Sequence, residues 1–140
     1  MSNLLFGSLA FRLAAAYRRV DRYANRALSA LDLTHAHGHV LWSVLEQGEL
    51  RIKDIAKHTG FEESTTSRLV KELARRKLLR RRRHPDDGRS LLFSAGVRAN
   101  ALRLELEHEL RRVNERLTRE LPNADLEGFL NTASLLDRLS

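Results

Sequence analysis

The chain has 140 residues, no cysteine, and 25 Lys plus Arg against 18 Asp plus Glu, for a formal net charge of +7. That is enough chain for one domain with a core, its excess of cations favours a polyanionic partner, and disulfides, thiolate zinc sites and thiol redox sensing are excluded. No apolar run reaches the roughly 18 residues of a membrane span, and the charges near the N-terminus follow its apolar part, the wrong order for a signal peptide, so a cytoplasmic protein with no membrane partner is expected.

Leu5, Leu9, Leu13, Ala16, Val20, Ala24, Ala27 and Leu31 recur at spacings of three and four. They predict one face of a long amphipathic helix. Thr34 is a good N-cap for a second helix running to about Gln47, with Val40, Leu41, Val44 and Leu45 as its apolar stripe and Gly48 ending it in the left-handed conformation. Glu49 to Arg51 reads as a short extended piece able to join a sheet.

Ile52 to Arg89 organises the rest. A helix to about His58 is followed by Gly60, where a positive φ permits a tight turn, and Ala56 is small enough for two helices to cross closely. The next helix, about Glu62 to Arg76, buries Leu69, Val70 and Leu73. Its geometry leaves Ser64, Ser67, Arg68 and Lys71 on the outer face with Thr65 at the edge. Small hydroxyls followed by a long cation suit a DNA major groove. Leu78 to His84, Pro85-Asp86-Asp87-Gly88 and Arg89 to Ser94 read as a β-hairpin, with Ser94 as the cap of a fifth helix. Seven Lys or Arg and no acid fall between Arg75 and His84, so Arg75, Arg76, Arg81 and Arg83 are candidate phosphate contacts.

The fifth helix carries Leu102, Leu106, Leu110, Val113, Leu117 and Leu121, and Pro122-Asn123 interrupts it. A last helix is predicted over about Asp125 to Leu139. One chain of this size has little core against which to bury both leucine-rich ends, so a two-fold homodimer is expected.

This order of elements resembles the MarR family of winged helix-turn-helix transcriptional regulators, over essentially the whole length. The resemblance rests on Leu33-Thr34, on Ile55-Ala56-Lys57-His58-Thr59-Gly60, on Ser64-Thr65-Thr66-Ser67-Arg68-Leu69-Val70, on Lys77-Leu78-Leu79-Arg80, and on Asp87-Gly88-Arg89. It implies a mainly α (α+β) fold in which residues 34–94 form the DNA-binding lobe and residues 1–31 and 97–140 the dimerisation region. It also implies a recognition helix in each major groove, Arg89 in the adjacent minor groove with Asp87 orienting it, and an inverted-repeat operator. Effectors in the family sit between the dimer helices and the lobe, which here suggests Tyr17, Arg18, His35, His39 and Trp42 around a small aromatic or phenolic ligand. Two departures stand out. Phe93-Ser94 comes early, so the second wing strand reads about two residues short. Thr66 takes the place of a buried aliphatic residue and must hydrogen-bond a carbonyl one turn back.

His35 and His39 share a helix face at i,i+4, a spacing that can hold a divalent metal, with His108 as a distant third ligand. The ligand set is incomplete, so solvated or hydrogen-bonded histidines are expected, with no metal and no cofactor. No nucleophile-base set or phosphate loop argues for catalysis. The expected function is a homodimeric, sequence-specific DNA-binding repressor released by a small ligand. The alternatives are a zinc-type metal-responsive regulator and a constitutive architectural DNA binder.

Overall fold

The computed structural model describes residues 7–139; Leu5, placed on the first helical stripe, lies outside them. Helix α1 (Leu9–Leu28) starts at Ser8, whose side chain accepts from Phe11 N at 3.1 Å. Only Ala24 and Leu28, at its C-terminal end, are buried. A single helical turn, Ser29–Leu31, and a left-handed Asp32 (φ 58°) lead into α2 (His35–Gln47). Thr34 caps α2 by accepting from His37 N, which satisfies one of the orphan amides of a helix start. Gly38 lets α1 approach closely, since a Cβ there would stand 3.1 Å from a Leu28 methyl.

After α2 the chain turns at Gly48. Its φ of 89° is positive as expected, but its ψ of −153° is extended rather than left-handed helical, because the chain must enter strand β1 (Leu50–Arg51) at once. Helix α3 (Ile52–Thr59) and helix α4 (Glu63–Arg75) follow, joined through Gly60 at φ 80°. Ile55, Leu69, Val70 and Leu73 interlock with Val40, Leu41 and Val44 of α2 in the main core. Thr66 is fully buried, and its hydroxyl donates to Glu62 O at 3.0 Å.

Strands β2 (Leu79–Arg83) and β3 (Leu91–Ala95) form the hairpin, and β1 pairs on the other edge of β3, giving the antiparallel order β1-β3-β2. The wing differs from its predicted form in two ways. The returning strand begins at Leu91 rather than Arg89, because Ser90 is held in the turn by Asp87. Ser94 is not a helix cap: it lies in β3 opposite Arg80, and β3 continues through Ala95, so every residue of β2 has a partner on it.

Gly96 stands at the cap instead, before α5 (Val97–Thr118). A Cβ there would come within 2.6 Å of the Lys77 carbonyl oxygen, and its N–H donates to Leu78 O. Only glycine fits this junction between wing and α5. Lys77 itself takes φ 60° between α4 and β2. Helix α5 buries Ala99, Leu106 and Val113 and stops before Leu121. Pro122 then opens α6 (Asn123–Leu136), which buries no residue at all. This is a winged helix with long terminal helices.

Candidate nucleic-acid interface

Helix α4 presents two chemically distinct faces. Thr66, Leu69, Val70 and Leu73 point into the core, while Ser64, Arg68, Lys71 and Arg75 are exposed and Thr65 and Ser67 are half-buried. Period 3.6 separates the faces. Glu62 and Glu63, at the start of α4, are also exposed to solvent.

The wing lies beside this outer face. Lys71 and Arg75 of α4 converge with Arg81 of β2 on one groove floored by Ala74 and Phe93. Three cations from two elements around one concavity concentrate positive charge where a phosphate backbone could lie. Strand alternation sends Arg81 and Arg83 to one side of the sheet and Arg80 and Arg82 to the other. Arg82 is bound in a fork by Glu49, at 2.8 and 2.6 Å, which ties the wing to the loop before β1. The Arg82 hydrogen bond holds the Glu49 carboxyl below its ordinary range. Arg83 donates to Gly88 O across the hairpin.

At the turn, Asp87 accepts from Ser90 Oγ at 2.8 Å and from Arg89 N at 3.1 Å. These bonds lower its pKa, the Ser90 contribution being the larger. Asp87 therefore orients Arg89 through its backbone amide; among the described residues no ion pair joins Asp87 to the Arg89 guanidinium. Arg76 also departs from expectation. Its guanidinium donates to Asp32 O at 2.6 Å and faces Asp32 Oδ2 at 3.4 Å, bracing α4 against the turn after α1, so it is turned away from the Lys71–Arg75–Arg81 groove.

A second concavity, of about 680 Å³, opens between α2, α3 and α5, with Val20 of α1 at its wall. His35, His39 and Trp42 line it from α2, His58 from α3, and Glu107 and Arg111 from α5. Tyr17 and Arg18 are not part of its wall; both lie on the exposed side of α1. Burial, then the neighbouring His35, pushes the His39 pKa down to about 4 against a partial pull from Asp21. The two imidazoles meet edge to face at 4.1 Å, and His35 Nδ1 is 3.1 Å from Asp21 Oδ1. Among the described residues no three His, Asp or Glu side chains converge as a metal set, and His108 is exposed on α5, away from the cavity.

Residues 33–91, from the end of the first turn through the wing, match the MarR family of winged helix-turn-helix regulators. The chain is similar in structure to Bordetella bronchiseptica BpsR, whose DNA binding is regulated by 6-hydroxynicotinic acid (22% identity, TM-score 0.84, 94% of each chain). A cysteine-to-serine mutant of Escherichia coli MarR complexed with operator DNA matches at 21% identity and TM-score 0.81, over 95% of this chain and 98% of that one. CouR from Rhodococcus jostii RHA1, bound to p-coumaroyl-CoA, matches at 26% identity and TM-score 0.79, over 94% and 93%. No curated protein sequence matches the chain. The match over residues 33–91 supports a DNA-binding transcriptional regulator, and no helix among the described residues is long and apolar enough to cross a membrane.

Three polar anchors have no counterpart in the sequence reading. Asn25 Oδ1 accepts from His35 N at 2.6 Å, fastening the start of α2 to α1. Glu49 clamps Arg82. Glu72 receives both Arg68 Nη1 at 3.1 Å and His37 Nε2 at 2.6 Å. Of these, only the Arg68–Glu72 pair had a local signal, the i,i+4 spacing of opposite charges on a helix.

Proposed function

We propose that this regulator is a sequence-specific homodimeric repressor, acting in the cytoplasm, that binds an inverted-repeat operator and is released by a small ligand. The observation that carries the reading is the groove where Lys71 and Arg75 meet Arg81, beside an α4 face rich in small hydroxyls and Arg68. In this reading Ser64, Thr65, Ser67 and Arg68 meet base edges in the major groove. Lys71, Arg75, Arg81 and Arg83 bind phosphates, and Arg89, on a turn shaped by Asp87, enters the minor groove. Residues 34–94 form the DNA-binding lobe, and residues 1–31 and 97–140 pair with a second copy. The similarity to a MarR structure holding operator DNA supports the DNA reading.

The cavity lined by His35, His39 and Trp42 is the effector site of this reading, supported by the ligands named for BpsR and CouR. A phenolic carboxylate would find its cation in Arg111 rather than in Arg18, because His39 is neutral at pH 7 and Arg18 lies outside the wall. The test is selection of bound duplexes from a random DNA pool. The expected product is an inverted repeat with half-sites about one helical turn apart, whose complex dissociates when aromatic acids are added. Enrichment of asymmetric sites, or none, rejects the reading.

A further inference from the structure

We propose that Glu72 is a positioning residue for DNA reading, clamped by His37 so that it presents the Arg68 guanidinium to a base edge. The proposal rests on the reading of Arg68 as a base contact. An exposed i,i+4 ion pair on a helix is ordinarily weak and mobile, and the Arg68 side chain is 61% exposed. This pair differs in what stands behind it. The second Glu72 oxygen accepts from His37 Nε2 at 2.6 Å, and the His37 side chain is only 13% exposed.

His37 is itself fixed. Its backbone N–H donates to Thr34 Oγ1 at 3.1 Å, and its Nδ1 lies 2.8 Å from the same oxygen. The Thr34 hydroxyl can accept from the amide and donate its proton to Nδ1. The neutral Nε2–H tautomer then satisfies every partner, with Nε2–H directed at Glu72. A continuous path of hydrogen bonds therefore runs from the N-cap of α2 through His37 and Glu72 to Arg68. The His37 bond first, then Arg68, holds the Glu72 carboxyl below the ordinary carboxylate range, so it is ionised at neutral pH.

Two consequences follow for DNA. Arg68 uses Nη1 on Glu72, leaving its remaining N–H donors in a defined direction, and ordering a long side chain before contact removes part of the cost of ordering it during binding. The Arg68–Glu72 pair also has no net charge, so it adds little to sequence-independent attraction to phosphate. Glu72 therefore raises discrimination while lowering affinity for arbitrary DNA. A residue that only stabilises the fold changes both in the same direction.

The test measures affinities for the selected operator and for a random duplex, with wild type and the variants Glu72→Ala, His37→Ala, Arg68→Ala and each of the first two combined with Arg68→Ala. Glu72→Ala is expected to lower the operator-to-random ratio by about 5- to 10-fold, part of the discrimination a single base contact supplies, while binding random DNA as well as or better than wild type. His37→Ala should move the ratio the same way by less. In the Arg68→Ala background neither change should alter the ratio further. The proposal is overturned if Glu72→Ala weakens both duplexes in equal proportion, if its loss of discrimination persists without Arg68, or if His37→Ala leaves the ratio at wild type. An Arg68→Ala variant that discriminates like wild type rejects the base-reading role of Arg68, and the positioning role with it. Should Glu72→Ala fail to fold, the His37→Ala and Arg68→Ala cycle decides alone.

Discussion

The winged lobe and the terminal helices carry similar leucine-rich stripes, but far more of the terminal helices' stripe is left uncovered. In the lobe, Val40, Leu41, Ile55, Val70, Leu73 and Leu78 are completely buried. In the terminal helices Leu9 is 59% exposed, Phe129 56%, Leu130 55% and Leu135 57%. Apolar surface gains about 25 cal/mol per Å² on leaving water, so the lobe has collected that stabilisation within one chain and α6 has not. Helix periodicity reports that a face is apolar; it does not report what covers it. We propose a second copy as the cover, because helices at both ends of the chain leave apolar side chains uncovered and two-fold pairing is the commonest assembly.

Substitutions divide accordingly. The largest effect is expected in the lobe. Leu73→Ala should lower unfolding stability by about 3 kcal/mol, measured by urea denaturation, and equally at low and high protein concentration. A concentration-dependent loss would mean that the lobe core also depends on pairing. Next, Phe129→Glu on α6 should leave the lobe folded but halve the sedimenting mass. It should also weaken operator binding by about 100-fold or more, the advantage of binding two half-sites together. Full operator affinity in that variant would remove α6 from the interface.

A smaller effect belongs to the seam between the two regions, where His39 lies. Its folded pKa is about 4 against an ordinary 6.5, so the unfolded chain takes up the proton first. The resulting stability is complete above about pH 6.5 and is lost as pH falls toward 4. After allowance for the partial exposure of His39, about 1 kcal/mol should disappear between pH 7.5 and 5.5. His39→Gln should flatten that part of the profile in thermal melts, and an unchanged slope would assign it to other groups. The smallest effect is back in the lobe, at Lys77. Its φ of 60° strains an L-residue, so Lys77→Gly should raise stability by about 0.5 kcal/mol, strain relief being partly offset by chain entropy. A loss would show that the Lys77 side chain contributes more than its strain costs.

The same contrast explains what the sequence could convey. The α3–α4 pair, the hairpin and the outer face of α4 were legible because each follows from local spacing: Gly60 at the turn, Leu69, Val70 and Leu73 inward, Ser64 and Arg68 outward. The buried Thr66 and its bond to Glu62 were legible for the same reason. The cap of α5 was misread at Ser94 because strand length depends on pairing with β2, which continues through Ala95. The cavity wall was half legible. His35, His39 and Trp42 follow from the period of α2, but Tyr17 and Arg18 depend on the rotation of α1 about its axis, which distant packing fixes. Arg76 read as a phosphate contact until Asp32, far away in the chain, closed on it, and the Glu49 clamp on Arg82 has no local signal at all.

We propose that the uncovered apolar faces of α1, α5 and α6 meet a second copy of the chain. Sedimentation equilibrium of the intact protein at micromolar concentration, without DNA, tests it most directly. The account predicts a mass of twice 16.1 kDa, stable on dilution through the micromolar range. A single species of 16.1 kDa that still binds its operator tightly would contradict it.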